Sequence, residues 1–261
     1  MIKHIFCDLD GTLYQNGISE EDIKAIKDIE QNGIKFHIAT GRALKQAYKM
    51  LEQRIDLNGY YICQNGSFVY DKDYNVVLKE SIDDNLVKKV VDRFDSDYSY
   101  IYFMYDGDII LSGGKEYLDE YDRDCIVDSN FFNKESYNNL VGNIGIISDN
   151  IDELARMELY YKSEFNEILD VYLSGPYVLS ILPKHISKRN AIEHVCKILN
   201  VNLDEIATIG DSPNDICMLE GLKYSFAMDS SKDNVKNIAS YKAKNVREAL
   251  QIIKKINGVE D

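Results

Sequence analysis

Near the N-terminus, short apolar runs alternate with stretches whose apolar residues recur at helical spacing. The run from Lys3 to Cys7 leads directly into Asp8, which predicts a buried parallel strand that carries an acid at its carboxyl end. A stripe of isoleucines at helical spacing follows, and Gly33 ends it. The alternation then repeats as a strand at Ile34–Ala39, a helix at Ala43–Leu51 and a strand at Tyr60–Cys63. This order predicts an α/β fold with a Rossmann-like, doubly wound parallel sheet.

The pattern changes to hairpins between residues 82 and 185. A tyrosine-rich run at Tyr98–Tyr105 alternates at period two and is followed by a turn at Asp106–Asp108 and another apolar run at Ile109–Ser112. The remaining predictions are helices at Asp84–Phe94, Lys115–Tyr121 and Glu164–Leu173, and strands at Ile144–Ile147, Glu158–Tyr161 and Tyr177–Leu182. We interpret this segment as an inserted α+β domain.

The α/β rhythm returns after Pro183. A helix is predicted at Lys188–Leu199, and the apolar strand Ile206–Ile209 runs into Gly210 and Asp211. The insert therefore interrupts one sheet. We predict a core domain made of residues 1–81 and 186–261 and a second domain made of residues 82–185.

The net charge limits the possible binding partners, and the cysteines indicate the cellular location. Among 261 residues, 44 acidic and 30 basic side chains give a net charge of -14, which disfavours binding to nucleic acid or to an anionic membrane. The five cysteines contain no CxxC pair, which indicates reduced thiols, and the chain has neither a membrane-spanning run nor a signal-peptide core. We therefore expect a cytoplasmic protein; its oligomeric state stays open, with a monomer slightly favoured.

Four polar pieces stand where predicted strands end or predicted helices begin. Because the carboxyl ends of parallel strands share one edge of a sheet, we expect the pieces to meet there. They are Asp8-Leu9-Asp10-Gly11-Thr12, Thr40-Gly41-Arg42, Lys188 and Gly210-Asp211-Ser212-Pro213-Asn214-Asp215.

The first piece offers two carboxylates with different uses. Asp8 and Asp10 are two positions apart, so they share a face of an extended chain before Gly11 allows a turn. One carboxylate can attack phosphorus and form an aspartyl phosphate, and the second can act as acid and later as base.

Gathering these acids requires a compensating cation. Like charges about 4 Å apart repel by roughly 4 kcal/mol at an effective dielectric constant of 20, and Asp8, Asp10, Asp211 and Asp215 would repel one another in this way. Carboxylate oxygens select a hard ion such as Mg²⁺. With the metal and Lys188 present, the site can accept a phosphate group.

Together these motifs resemble the haloacid-dehalogenase (HAD) superfamily and specifically its Cof-like (type IIB) phosphatases. The matching pieces are DLDGT, ATGR, the helix-opening lysine and GDSPND, with Gln64-Asn65-Gly66 similar to that branch's SNG and Met218-Leu219 and Ala227-Met228 similar to its ML and AM pairs. The resemblance implies a hydrolase core, a mobile cap formed by the insert, and Mg²⁺-dependent removal of phosphate from small phosphorylated metabolites.

The resemblance also implies a role for each matching position. Asp8 is the nucleophile and a metal ligand, Asp10 is the acid and base whose backbone carbonyl also binds the metal, and Asp211 is the other carboxylate ligand. Asp215 lies behind these groups and orients Lys188 or the metal's water molecules. The positions implied to bind substrate are Leu9, Thr40, Gly41, Lys188 and Asn214, with Lys188 also counted as catalytic.

Two positions depart from the Cof-like pattern. Arg189 follows Lys188 where that branch usually has glycine, and Asp229-Ser230-Ser231 stands where Gly-Asn-Ala is expected. Both departures concern the backbone next to the substrate, so sugar phosphates, flavin mononucleotide and pyridoxal phosphate all remain open as substrates.

Three other interpretations of the same residues require features of their own. A calcium loop starting at Asp8 requires glutamate at its twelfth position, which is Ser19. A phosphomutase would use the same acids but usually needs clustered arginines in the insert, which offers only Arg93, Arg123 and Arg156. A non-catalytic phosphometabolite sensor would be expected to lack the nucleophile or the lysine.

Histidines and tyrosines are assigned to structural roles. None of the four histidines has a zinc-binding spacing, and His4 and His37 fall within predicted strands. The alternating tyrosines from Tyr98 to Tyr102 favour core packing over a stacking platform for a ligand.

Overall fold

The computed structural model describes residues 1–51, 54–55, 57–113, 125–175 and 177–259. The chain forms two compact units. Unit 1 contains Met1–Arg42, Ala47–Leu78 and Ser187–Asp261, and unit 2 contains Ala43–Gln46 and Lys79–Ile186. The domain boundaries predicted from the sequence differ from this division by a few residues and by the short segment 43–46.

Unit 1 is built on an eight-stranded sheet. Its strands are β1 (His4–Cys7), β2 (Lys35–Ala39), β3 (Tyr61–Cys63), β4 (Phe68–Tyr70), β5 (Val76–Lys79), β12 (Ile206–Gly210), β13 (Ser225–Met228) and β14 (Tyr241–Ala243). Their order across the sheet is β14-β13-β12-β1-β2-β3-β4-β5. The strands from β14 to β3 pair in parallel, and β4 pairs antiparallel with β3. The predicted α/β class with a parallel sheet is confirmed.

Helices follow the strands of unit 1 in the predicted order. Helix α1 begins after Ser19, whose side chain accepts a hydrogen bond from the Asp22 N–H, and its isoleucines are buried. The helices are α1 (Glu20–Gln31), α2 (Leu44–Met50), α5 (Lys188–Leu199), α6 (Ile216–Leu219), α7 (Asp233–Lys236) and α8 (Val246–Ile256). β1 and β12 are buried at every position, and their residues apart from His4 and Thr208 are apolar or glycine.

The strand order places a topological switch point beside β1. The chain runs from β1 to β2 and β3 on one side, and after unit 2 it resumes at β12 on the other side. Cys7 is in register with both Ile38 and Ile209, so the segments that follow β1, β2 and β12 leave the sheet side by side. In open α/β sheets this is where ligands bind.

Unit 2 combines a six-stranded sheet with helices. The elements are α3 (Asp84–Asp92), β6 (Ser99–Tyr105), β7 (Asp108–Leu111), β8 (Cys125–Val127), β9 (Val141–Ser148), α4 (Ile151–Phe165), β10 (Leu169–Gly175) and β11 (Val178–Pro183). The strand order across the sheet is β10-β11-β9-β6-β7-β8. All neighbouring strands pair antiparallel except β7 and β8. The predicted helix at 115–121 lies outside the described residues.

Two sequence predictions in unit 2 are wrong. The predicted strand at 158–161 lies inside α4, and the second half of the predicted helix at 164–173 is strand β10. Helix α4 is capped by Asn150, and its buried residues recur at helical spacing from Leu154 to Phe165. Residues 169 and 171 instead alternate into the core and pair with β11. Tertiary pairing therefore decides the structure of a segment whose local pattern is ambiguous.

The tyrosine run packs mainly as predicted. Tyr102 is 7% exposed and lies opposite Gly145 on β9, where an added Cβ would approach the tyrosine Cζ atom to 1.9 Å. The glycine thus makes room for the ring. Tyr98, just before the strand, is 71% exposed and does not take part in the core.

No helix in the described part of the chain combines the length and apolar character needed to cross a lipid bilayer. Cys7, Cys63, Cys196 and Cys217 carry free thiols.

A pair of imidazoles is buried between β1 and β2. His37 Nδ1 accepts a hydrogen bond from the Tyr60 N–H at 2.8 Å, so its proton lies on Nε2, which is 3.0 Å from His4 Nδ1. Burial lowers the pKa of His37 well below its ordinary value, and nearby His4 and Lys35 lower it further. His37 is therefore neutral in the folded protein.

The first prediction concerns stability at mildly acidic pH. Because the pKa of His37 is lower in the folded than in the unfolded chain, its contribution is complete above about pH 6.5 and is lost as the pH falls below that value, by up to about 1.4 kcal/mol per pH unit. Urea unfolding of the wild type at pH 7.5 and 5.5 should show this loss. His37→Asn, which keeps an acceptor for the Tyr60 N–H, should show a smaller one.

The control is His194→Asn, which removes a partly exposed histidine and should retain the wild-type pH dependence. Equal pH dependence in His37→Asn and the wild type would contradict the assignment.

Candidate active site

The first acidic segment leaves the sheet at the end of β1. The Asp8 N–H donates to the Ile209 carbonyl at 2.8 Å, which ties the segment to β12, and Asp8 is 4% exposed. Gly11 then turns the chain with a φ of +79°. A Cβ at this glycine would lie 2.6 Å from Asp211 Oδ2, so the close approach of the two loops requires glycine.

Lys188 lies at the centre of the site. It is the first residue of α5, which is capped by Ser187, and its side chain is fully buried. Its Nζ donates to Asp8 Oδ1 and to Asp215 Oδ1, both at 2.6 Å. Burial alone would lower the pKa of this ammonium, but Asp215 and Asp8 outweigh burial and raise the pKa above its ordinary value. The lysine is therefore a buried cation held between two carboxylates.

Asp215 is bound at both carboxylate oxygens. Oδ1 accepts from Lys188, and Oδ2 accepts from the backbone N–H groups of Asp211 and Ser212 at 3.0 and 2.9 Å. A Cβ on Gly210 would lie 2.7 Å from the Asp215 Cβ, so the turn closes tightly over the carboxylate. These contacts suit a residue that supports Lys188 and the loop, as predicted for this position.

Asp211 lies at the end of β12, beside the first loop. Its Oδ1 accepts from the Thr12 hydroxyl at 2.8 Å and its Oδ2 from the Ser212 hydroxyl at 3.1 Å. Burial, followed by repulsion from Asp215, raises the pKa of Asp211 against the opposing effect of the two hydroxyls and Lys188. Burial and Asp215 likewise raise the pKa of Asp8 well above its ordinary value, with Lys188 opposing.

The charges of this cluster do not balance. Oxygens of Asp8, Asp211 and Asp215 all lie within 4.8 Å of one another, and Lys188 supplies the compensating positive charge that the structure shows for them. With all three carboxylates ionised, one ammonium leaves a charge of -2, which a divalent cation would neutralise. Hard carboxylate oxygens at this spacing fit Mg²⁺. Within the described residues, only Lys188 donates to the Asp8 carboxylate, so Asp8 and Asp211 are better placed as ligands than Asp215.

Asp10 takes a different position from the other acids. Its carboxylate is 45% exposed and pairs with the Arg42 guanidinium, with Nη2 2.7 Å from Oδ1. The metal-binding role predicted for Asp10 runs through its backbone carbonyl, so it does not require the carboxylate that Arg42 engages. Leu9, predicted to bind substrate, has a fully buried side chain, so only its backbone suits that role.

The predicted phosphate-binding residues meet near the end of β2. The Thr40 N–H donates to Ile62, and its hydroxyl accepts from the Arg42 N–H at 3.1 Å. A Cβ on Gly41 would lie 3.2 Å from Asn65 Oδ1, which also accepts from Asn214 Nδ2 at 3.2 Å. The structure thus brings Thr40, Gly41 and Asn214 into one neighbourhood through Asn65.

Sequence reasoning assigned no role to three residues of this site. Thr12 holds Asp211, Asn65 holds Asn214, and Arg42 holds Asp10. Each belongs to one of the matching motifs, but the motif alone does not show which side chain its polar group reaches. Asn65 carries a further signal in the structure, a left-handed φ of +56°, which is uncommon outside glycine and often marks a functional segment.

Sequence comparison identifies the family. Residues 5–250 match the haloacid dehalogenase-like hydrolase family. Two relatives from Bacillus subtilis are 26% identical to this chain. One is the 5-amino-6-(5-phospho-D-ribitylamino)uracil phosphatase YcsE, aligned over 92% of this chain and 89% of the relative, and the other is the phosphatase YwpJ, aligned over 91% and 93%.

Solved structures share the fold. TM0651 from Thermotoga maritima superimposes with a TM-score of 0.86 at 23% identity and covers 97% of both chains. The HAD subclass IIB sugar phosphatase BT4131 superimposes with a TM-score of 0.78 at 23% identity, covering 99% of this chain and all of that one. The chain belongs to the haloacid dehalogenase-like hydrolases, as its motifs predict.

Proposed function

We propose that the protein hydrolyses monophosphate esters of small metabolites, with Mg²⁺, through an aspartyl phosphate on Asp8. One observation carries the proposal: the Asp8 carboxylate is buried at the switch point of the sheet, with one oxygen on the Lys188 ammonium and Asp211 beside it. A carboxylate oriented by a buried cation and located next to a metal-binding acid is suited to nucleophilic attack on phosphorus.

The reaction has two steps. Asp8 attacks phosphorus, the bond to the leaving alcohol breaks, and Asp10 gives its proton to the departing oxygen. Asp10 then takes a proton from water, which attacks the aspartyl phosphate and releases inorganic phosphate and the Asp8 carboxylate. Lys188 carries positive charge next to the Asp8 oxygen throughout, which reduces the repulsion between this carboxylate and the incoming phosphate.

We assign the metal to Asp8, Asp211 and the Asp10 backbone carbonyl. When bound, Mg²⁺ would neutralise the surplus negative charge and stabilise charge on the phosphoryl oxygens. Asp215 is left out because its two oxygens already accept hydrogen bonds from Lys188 and from two backbone N–H groups. It supports Lys188 from the far side.

The phosphate group is proposed to bind between Lys188, Thr40, Gly41, Asn214 and the backbone of Leu9. The names of two relatives narrow the substrate class, since one acts on a phosphorylated ribitylaminouracil and another is a sugar phosphatase. We propose a small polyhydroxylated phosphate ester as substrate and unit 2 as the cap that selects it. The free thiols of Cys7, Cys63, Cys196 and Cys217 support a location in the cytoplasm.

Contacts within unit 2 favour phosphatase activity over phosphomutase activity. Arg93 pairs with Glu164 at 3.7 Å and Arg156 pairs with Glu153 at 3.6 Å, and Arg123 lies outside the described residues. The two described arginines are thus engaged by separate acids and do not form a cluster for a second phosphate. A sensor lacking catalysis is disfavoured because the nucleophile and its lysine are both in place.

The second prediction concerns the nucleophile and the metal. Asp8→Asn should lower kcat for p-nitrophenyl phosphate by about 10⁴-fold or more, because the amide cannot attack phosphorus. Exhaustive EDTA treatment of the wild type should also abolish turnover, and added Mg²⁺ should restore it. The exposed turn variant Asp73→Asn is the control and should be fully active. Undiminished activity of Asp8→Asn, or of the metal-free enzyme, would refute the proposed mechanism.

The third prediction separates the roles of Asp211 and Asp215 by the sign of their effect on stability. In EDTA, Asp211→Asn should raise the free energy of unfolding, because it removes a partly buried carboxylate that Asp215 repels. Asp215→Asn should lower it by about 3 kcal/mol, because Lys188 loses a buried partner. Denaturant unfolding of the metal-free proteins measures both. Destabilisation by Asp211→Asn together with a neutral Asp215→Asn would reverse the assignment.

A further inference from the structure

The contact between Asp10 and Arg42 is a forked ion pair. Arg42 Nε lies 3.2 Å from Asp10 Oδ1 and 3.0 Å from Oδ2, and Nη2 lies 2.7 Å from Oδ1. The two side chains are 45% and 23% exposed, respectively. A guanidinium that engages both oxygens fixes the orientation of a carboxylate as well as its charge.

The backbone on the arginine side of this pair is held at several points. The Arg42 N–H donates to the Thr40 hydroxyl at 3.1 Å, and its carbonyl accepts from the Gln64 N–H at 2.9 Å. Thr40 is in turn tied to β3 through the Ile62 carbonyl. The guanidinium therefore extends from a fixed loop, the same loop that is proposed to bind phosphate.

The backbone on the aspartate side is held as well, whereas the side chain is exposed. Asp10 forms an isolated bridge with Tyr14, and the Tyr14 N–H donates to the Leu9 carbonyl at 2.7 Å. These contacts fix the Asp10 backbone but not its carboxylate, which Arg42 alone among the described residues engages by hydrogen bonds. Without Arg42, no other hydrogen bond from the described residues would hold this carboxylate in one orientation.

We infer that Arg42 is a positioning residue for Asp10, holding its carboxylate in one orientation between the steps in which it gives and takes a proton. The inference rests on the proposed function, in which Asp10 is the acid and base. The pair is partly exposed, so solvent screening limits its contribution to stability. The main effect should therefore be on catalysis, where a misplacement of about 1 Å lowers the rate by about 100-fold.

Direct binding of substrate by Arg42 is the competing explanation. The positioning role and the substrate-binding role predict different effects of an Arg42 substitution on kcat and KM. A positioning residue acts through Asp10, so its removal lowers kcat and has no further effect once Asp10 is disabled. A substrate-binding residue acts on the ester itself, so its removal raises KM and lowers activity whether or not Asp10 is present.

The test is a double-mutant cycle with Mg²⁺ and p-nitrophenyl phosphate, whose good leaving group leaves Asp10→Asn measurable activity. Arg42→Gln should lower kcat by about 100-fold with KM changed less than about threefold, and Arg42→Lys should fall between it and the wild type, since a lysine cannot form the fork. Adding Arg42→Gln to the Asp10→Asn variant should not lower kcat any further. Arg54→Gln removes an arginine that is paired with Glu20 and should match the wild type.

The inference would be overturned if Arg42→Gln lowered kcat by the same factor in the wild-type and Asp10→Asn backgrounds, or if it only raised KM. Either result would leave the proposed phosphatase activity intact. Full activity of Arg42→Gln would overturn the inference in the same way. If the wild type hydrolyses no phosphate ester, or Asp10→Asn is fully active, the proposed mechanism fails and the role of Arg42 fails with it.

Discussion

The site depends on one buried ammonium. Lys188 is fully enclosed, and it is stable there because Asp8 and Asp215 each accept a hydrogen bond from it at 2.6 Å. A buried charge without partners would be prohibitively unfavourable, so the three side chains require one another. Their combined charge is still negative and becomes more so with Asp211 nearby. The same arrangement that orients Asp8 therefore also calls for a divalent cation.

The topology of unit 1 explains why residues so far apart in sequence meet. β1 lies between β2 and β12, and the register aligns Cys7 with Ile38 and Ile209. The polar segments after all three strands therefore emerge together at the switch point of the sheet. Lys188 enters from the start of α5. The chain can leave to form unit 2 and return without disturbing this convergence, because each contributing segment is anchored to the central strands.

The sequence was informative where periodicity and motif agree. The parallel sheet, the ends of its strands and the acids that follow them were predicted because buried strands must be apolar and their exits carry polar residues. It was misleading in unit 2, where residues 158–161 are helical and 169–175 form a strand, since pairing with β11 outweighs a local pattern. The sequence did not predict the ion pair between Arg42 and Asp10 or the hydrogen bond between Asn214 and Asn65. Both contacts depend on the geometry of loops, and the spacing of residues along the sequence does not determine that geometry.

The most direct test of the central claim is the free energy of unfolding of metal-free Lys188→Met at neutral pH. The account predicts a loss of about 3–5 kcal/mol relative to the wild type, because two buried carboxylates lose their cation. The loss should shrink as the pH is lowered and those carboxyl groups bind protons. A variant as stable as the wild type at neutral pH would contradict the account, since Lys188 would then not be the charge on which Asp8 and Asp215 depend.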